Sequence, residues 1–105
     1  MIPIIYKLYR SDNHHGGESI ESITEGKSFE LEHITSRGHY SDPHFWYNQD
    51  TPEWVALIAG SSTLEFEQGS LELIAGDAIL IPAQLKHRIL STSKDAVWIA
   101  LHFHQ

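Results

Sequence analysis

The stretch Gly76-Asp77-Ala78-Ile79-Leu80-Ile81-Pro82-Ala83-Gln84-Leu85-Lys86-His87 decides the fold. Gly76-Asp77 is turn chemistry, and the four apolar residues after it make a run too short for a helix and long enough for a buried strand. Pro82 has no N–H to give a neighbouring strand and ends the ladder. The next strand opens at His87, whose side chain falls on the same face as Ile89 and Ser91. A histidine set at a fixed distance beyond a turn, strand and proline is the first candidate functional residue.

The same grammar extends in both directions. Residues 70–74 keep Leu71 and Leu73 in phase, Gln68-Gly69 makes a tight turn, and 63–67 place Leu64 and Phe66 opposite Glu65 and Glu67. Residues 28–35 alternate through Phe29 and Leu31, 53–59 run from Pro52 to Gly60, and 87–91 and 96–103 complete the set. Two of these strands are apolar on both faces. Val55 and Leu57 alternate with Trp54, Ala56 and Ile58, and Val97, Ile99, Leu101 and Phe103 alternate with Trp98 and Ala100. A strand wetted on one face shows polar residues at every second position, so these two belong in the middle of a sheet. Only 18–25, where Ile20 and Ile23 stand three apart before Gly26, offers a helical turn or two. Short alternating strands between close turns imply an all-β antiparallel sandwich or small barrel.

A chain of 105 residues forms one domain, 1–105, with enough buried surface for a single core. Its formal charge of −7 argues against nucleic acid or an anionic membrane as partner, because both select cationic surface. The absence of cysteine excludes disulfide scaffolds, thiolate metal sites and thiol nucleophiles. Met1-Ile2-Pro3-Ile4-Ile5 is too short for a signal core and no apolar run nears the roughly 18 residues of a membrane span, so a cytoplasmic location is expected. Eight histidines in this length are many, and imidazole is the commonest metal ligand.

From Gly38 to His87 the chain resembles the cupins, small double-stranded β-helix (jelly-roll) barrels. The second cupin motif is matched by Gly76, Pro82 and His87, with Gln84 where the family often has glycine and Ser91 where it often has asparagine. The first is matched at its ends, by Gly38 and His44 and by Glu53 and Gly60. Its centre departs: Trp46 stands where the second histidine belongs, and the gap to Glu53 is long. The segment Phe45-Trp46-Tyr47 and the Trp54-Val55 after the glutamate are closest to a subset of small cupins.

The resemblance implies a divalent metal (Fe, Mn, Ni or Zn) held by imidazoles and a carboxylate. Carried over by position, the ligands are His44, Glu53 and His87. Indole has no lone pair to replace the ligand missing at Trp46, and His39 and His102 are the two replacements at hand. Val55 and Leu57 lie in phase with Glu53 and face inward, and an interior carboxylate needs a cation or donors. The alternatives to this are His87 as a strand end bonded to a backbone carbonyl, and His39 and His44 as surface loop residues. His14, His15 and His104 are expected in solvent and His33 on the outside of its strand. Trp46 and Tyr47 are candidate ligand-binding rings, with core or interface as the alternative. Alternation puts Lys86 and Arg88 on the face opposite His87. The expectation is a homodimeric barrel that binds a metal and a small molecule, for isomerase, lyase or dioxygenase chemistry. The alternative is a metal-free binding or regulatory module.

Overall fold

The computed structural model describes residues 1–9 and 17–104. The chain is all-β: among the described residues there is no helix, and so none long and apolar enough to cross a membrane. Eight strands follow in order: β1 (Gly17–Glu25), β2 (Phe29–Arg37), β3 (Glu53–Ala59), β4 (Ser61–Phe66), β5 (Gly69–Ile74), β6 (Ala78–Ile81), β7 (His87–Thr92) and β8 (Ala96–Phe103). They form a five-stranded sheet of order β1-β2-β8-β3-β6 and a three-stranded sheet of order β5-β4-β7, with every pairing antiparallel.

The two strands apolar on both faces, β3 and β8, are interior strands of the larger sheet, as their composition requires. Their inward residues Val55, Leu57, Trp98 and Ala100 meet Leu64 and Leu73 of the smaller sheet, with Ile81 and Ala96 closing the core. Ser62, also buried, donates its hydroxyl hydrogen to the Ser91 carbonyl at 2.8 Å, so its burial leaves no polar group unpaired.

Residues 18–25 correct the sequence reading: they are strand β1, not a helical turn. The spacing of Ile20 and Ile23 suggested a helix, but β1 zips along β2 from Gly17↔Arg37 to Glu25↔Glu30, with a bulge between Ser22 and Thr24. Eight turnless residues that find a partner edge gain a ladder of hydrogen bonds, whereas a two-turn helix in isolation is marginal.

The Gly76-Asp77 unit works as its chemistry suggests. Gly76 adopts φ +101°, its N–H donates to the Leu57 carbonyl at 2.7 Å, and the Asp77 side chain accepts from the Ile74 N–H at 2.8 Å. The turn is thereby pinned to the middle of β3, which fixes where β6 runs and where His87 emerges. Gln84, in the position where the family often has glycine, takes φ +67° and is held by a hydrogen bond from its side-chain Nε2–H to Asp50 Oδ1 at 3.0 Å.

The outer face of the large sheet is touched by residues 6–9 through Tyr6, Leu8 and Tyr9. His33, on that face as expected, is nevertheless only 4% exposed because this segment covers it. Its Nε2–H donates to the Leu8 carbonyl at 2.9 Å, which leaves Nδ1 to accept from the Tyr6 hydroxyl at 3.2 Å. Tyr9 adds a bond from its hydroxyl to the Ile58 carbonyl of β3 at 3.1 Å. His33→Ala is expected to cost about 1–2 kcal/mol and to speed tryptic cleavage after Lys7. Unchanged cleavage would show that the imidazole does not hold the segment. His14 and His15 lie outside the described residues.

Candidate active site

Between the two sheets lies a cavity of about 130 Å³. Every strand that reaches it contributes through alternation. Glu53 and Val55 come from β3, Trp98 and His102 from β8, and Glu32 and Ile34 from β2; His87 and Ile89 come from β7, and Glu18 and Ile20 from β1. Tyr47 and Gln49, from the connection between β2 and β3, complete the polar part of the wall.

Glu53 is 8% exposed and His87 6%, and they face each other from opposite sheets with His87 Nε2 4.0 Å from Glu53 Oε1. That separation is too long for a direct hydrogen bond and leaves room for an atom between them. His87 is bonded to a backbone carbonyl and also lines the cavity. Its Nδ1–H donates to the Leu85 carbonyl at 2.9 Å, and this anchor turns Nε2, with its lone pair, into the cavity. The Tyr47 ring stacks on the imidazole, with centroids 5.4 Å apart, and Tyr47 and His87 exchange both backbone hydrogen bonds.

His102 stands opposite Glu53 in the β3–β8 register. Its Nε2 lies 2.7 Å from Glu32 Oε1 and 3.3 Å from Glu53 Oε2, so one imidazole bridges two carboxylates. Burial pushes the Glu53 carboxyl above the usual range; His102 pulls it back, while Glu32 and Glu18 push it up again. Glu18 is raised as well, by burial first, with His39 opposing and Glu32 adding to it. Burial and then the charges of Glu18 and Glu53 keep the Tyr47 phenol protonated.

The remaining candidates lie elsewhere. His44 is exposed in the loop before β3, where its N–H donates to Asp42. His39 is half-buried near Glu18 and does not line the cavity. Trp46 does not line it either. Its ring lies under the Arg88 guanidinium, 4.3 Å from ring centroid to Cζ, and Arg88 also pairs with Glu65 and the Pro43 carbonyl. The side chain that breaks the first motif therefore stacks on a cation that alternation directs away from His87. Sequence reasoning missed Glu18 and Glu32, both of which the cavity exposes.

Nitrogen and oxygen donors of this kind suit a divalent first-row metal. Among the described residues, though, no three His, Asp or Glu side chains stand together as a metal-holding group, for His102 Nε2 is already directed at two carboxylates. The chemistry fits such an ion, while the spacing is that of a hydrogen-bonded relay.

No family model and no curated protein matches the sequence. Among solved structures the chain is similar to a candidate mannose-6-phosphate isomerase from Ralstonia eutropha, at 30% identity and TM-score 0.87, covering 98% of this chain and 100% of that one. It is also similar to KdgF from Halomonas sp. (16% identity, TM-score 0.74, 90% and 86% covered). A cupin-2 domain protein from Shewanella frigidimarina is similar too (19%, 0.67, 88% and 85%). At these lower identities the last two speak for the fold alone.

Proposed function

The chain belongs to the cupins, and from that premise we propose that it binds a compact hydroxy-carbonyl compound and isomerises it by proton transfer. The observation that carries this reading is the facing of Glu53 and His87 across the cavity at 4.0 Å, with the carboxyl raised and the imidazole lone pair free. The name of the Ralstonia neighbour, at 30% identity, supports the reaction class.

The chemistry asks for a base and an acid on the same small molecule. His87 Nε2 takes the proton from the carbon beside the carbonyl, and protonated Glu53 gives its proton to the carbonyl oxygen, which yields an enediol. Reversal at the neighbouring carbon completes a 1,2-shift: Glu53 recovers a proton from that carbon's hydroxyl, and the proton on His87 returns to carbon. Positioned acid–base catalysis of this kind contributes about 10²–10⁴ in rate. His102, held by Glu32, orients Glu53 and steadies its charge once the proton has left. Tyr47 donates a further hydrogen bond to a ligand hydroxyl.

A second reading is favoured by the anchored imidazole, since a bond from Nδ1–H to a carbonyl is how metal-ligating histidines are commonly oriented. Glu53 and His87 would then hold a divalent ion, joined by His102 only once its ring leaves Glu32, and the ion would supply a Lewis acid for the carbonyl oxygen.

Exchange of the proton beside the carbonyl (C2 of D-mannose and other aldoses, C1 of the ketoses) in D₂O, followed by NMR, tests both. Wild-type protein is expected to catalyse exchange after exhaustive chelation, and His87→Ala to lose it at least about 100-fold. Exchange that vanishes on chelation and returns with Fe, Mn, Ni or Zn selects the metal reading. No exchange across the panel overturns isomerisation.

A further inference from the structure

The geometry points to a cavity that takes an uncharged or amine-bearing polyol and rejects phosphorylated and carboxylated molecules. This rests on the reading of the cavity as the ligand site and adds the class of ligand it admits.

Two independent features carry it. The first is charge. Glu18, Glu32 and Glu53 all line the cavity, and among the described residues no lysine or arginine does. Of the two cations that flank His87, Arg88 is held by Glu65 and spread over Trp46, and neither it nor Lys86 lines the cavity. An anion entering here meets three carboxyl groups in a confined, largely apolar space, where like charges repel far more than in water. A phosphate site is built the other way, from arginine, lysine or converging backbone N–H groups.

The second feature is the supply of hydrogen-bond partners. The carboxyl groups accept when ionised, and His87 Nε2 accepts because Nδ1 carries the hydrogen given to Leu85. Gln49 Oε1 is buried with no partner. A buried acceptor without a donor costs about 1–3 kcal/mol until one arrives. Beyond the Tyr47 hydroxyl, the Gln49 amide and the Glu53 proton, the wall offers mainly acceptors, and its complement is a molecule that brings O–H or N–H groups. A phosphate monoester at neutral pH brings acceptors and negative charge instead. The phosphate in the name of the Ralstonia neighbour is thus the part of that molecule this cavity is least suited to.

Calorimetric titration of the full chain with D-mannose, D-glucosamine and D-mannose 6-phosphate at pH 7.5 provides the test, with C2–H exchange measured in parallel. D-mannose or D-glucosamine is expected to bind at least ten-fold more tightly than the phosphate ester. Glu18→Gln alone, and Glu18→Gln with Glu32→Gln, are expected to narrow that ratio stepwise, by about ten-fold in the double variant. Tighter binding of the ester with exchange intact overturns the inference and leaves isomerisation standing. Binding of the unphosphorylated sugar without exchange does the reverse. A ratio unmoved by either variant, or no binding of any of the three, overturns the inference.

Discussion

Glu53→Gln is expected to melt higher than the wild type at pH 7.5 and to lose C2–H exchange at least about 100-fold. The stability gain follows from what burial does to this carboxyl. Its proton affinity is higher in the folded chain than the ordinary carboxylate value of 4.5, so the folded state resists its ionisation. The favourable contribution is complete below that ordinary value and fades as the pH rises through the folded value. At pH 7.5 the wild type keeps less of it than in acid, because folding opposes the ionisation that rising pH drives, while the neutral amide never carries the charge. Glutamine fills the same volume and keeps an oxygen to accept from His102. A gain on the order of 1 kcal/mol moves the melting temperature by about 4–8 °C in a domain of this size. The difference between the two proteins is expected to shrink as the pH is lowered towards 4.5, where both side chains are neutral. Thermal denaturation between pH 5 and 8 checks the sign. A variant no more stable than wild type across that range would mean that His102 fully offsets the burial, and the raised-carboxyl account would fall.

The second large effect belongs to Gly60, where β3 turns into β4. Its φ is +83°, and a methyl group added there stands 2.3 Å from Ser93 Oγ, 2.8 Å from Ala96 Cα and 3.0 Å from Ala96 N. None of these neighbours yields easily. Ser93 Oγ accepts from the Ser61 N–H and donates to Asp95, and Ala96 is fully buried backbone at the start of β8. Gly60→Ala combines a left-handed conformation with an overpacked core, and the expected loss is about 2–4 kcal/mol. The urea midpoint measures it directly, and a change under about 0.5 kcal/mol would contradict the packing described around Ser93 and Ala96.

Much of this is legible in the sequence. The double-faced strands placed themselves in the sheet interior, and the phase of Glu53 with Val55 and Leu57 directed its carboxyl inward. The parity of His102 with Trp98 and Ala100 did the same on β8. Glu18 and Glu32 were not legible, for local reasons. β1 is an edge strand whose few apolar residues mimic a helical spacing, so its inward face could not be assigned. In β2 the visible alternation runs through Phe29 and Leu31, which share the outer face with His33, where residues 6–9 dock. Glu32 and Ile34 therefore look like the solvent side until the sheet is closed. The fate of Trp46 depended on Arg88, some forty positions away, and no local pattern reveals that stacking.

Glu53 sits in the five-stranded layer and His87 in the three-stranded one. The proposed acid–base pair therefore exists only while the layers are clasped, and neither layer carries it alone. A form in which the layers part but keep their own ladders retains its amide circular dichroism and turns over nothing. Inactivation by heat or urea then precedes loss of secondary structure, and catalysis becomes the more sensitive gauge of whether the two halves are shut.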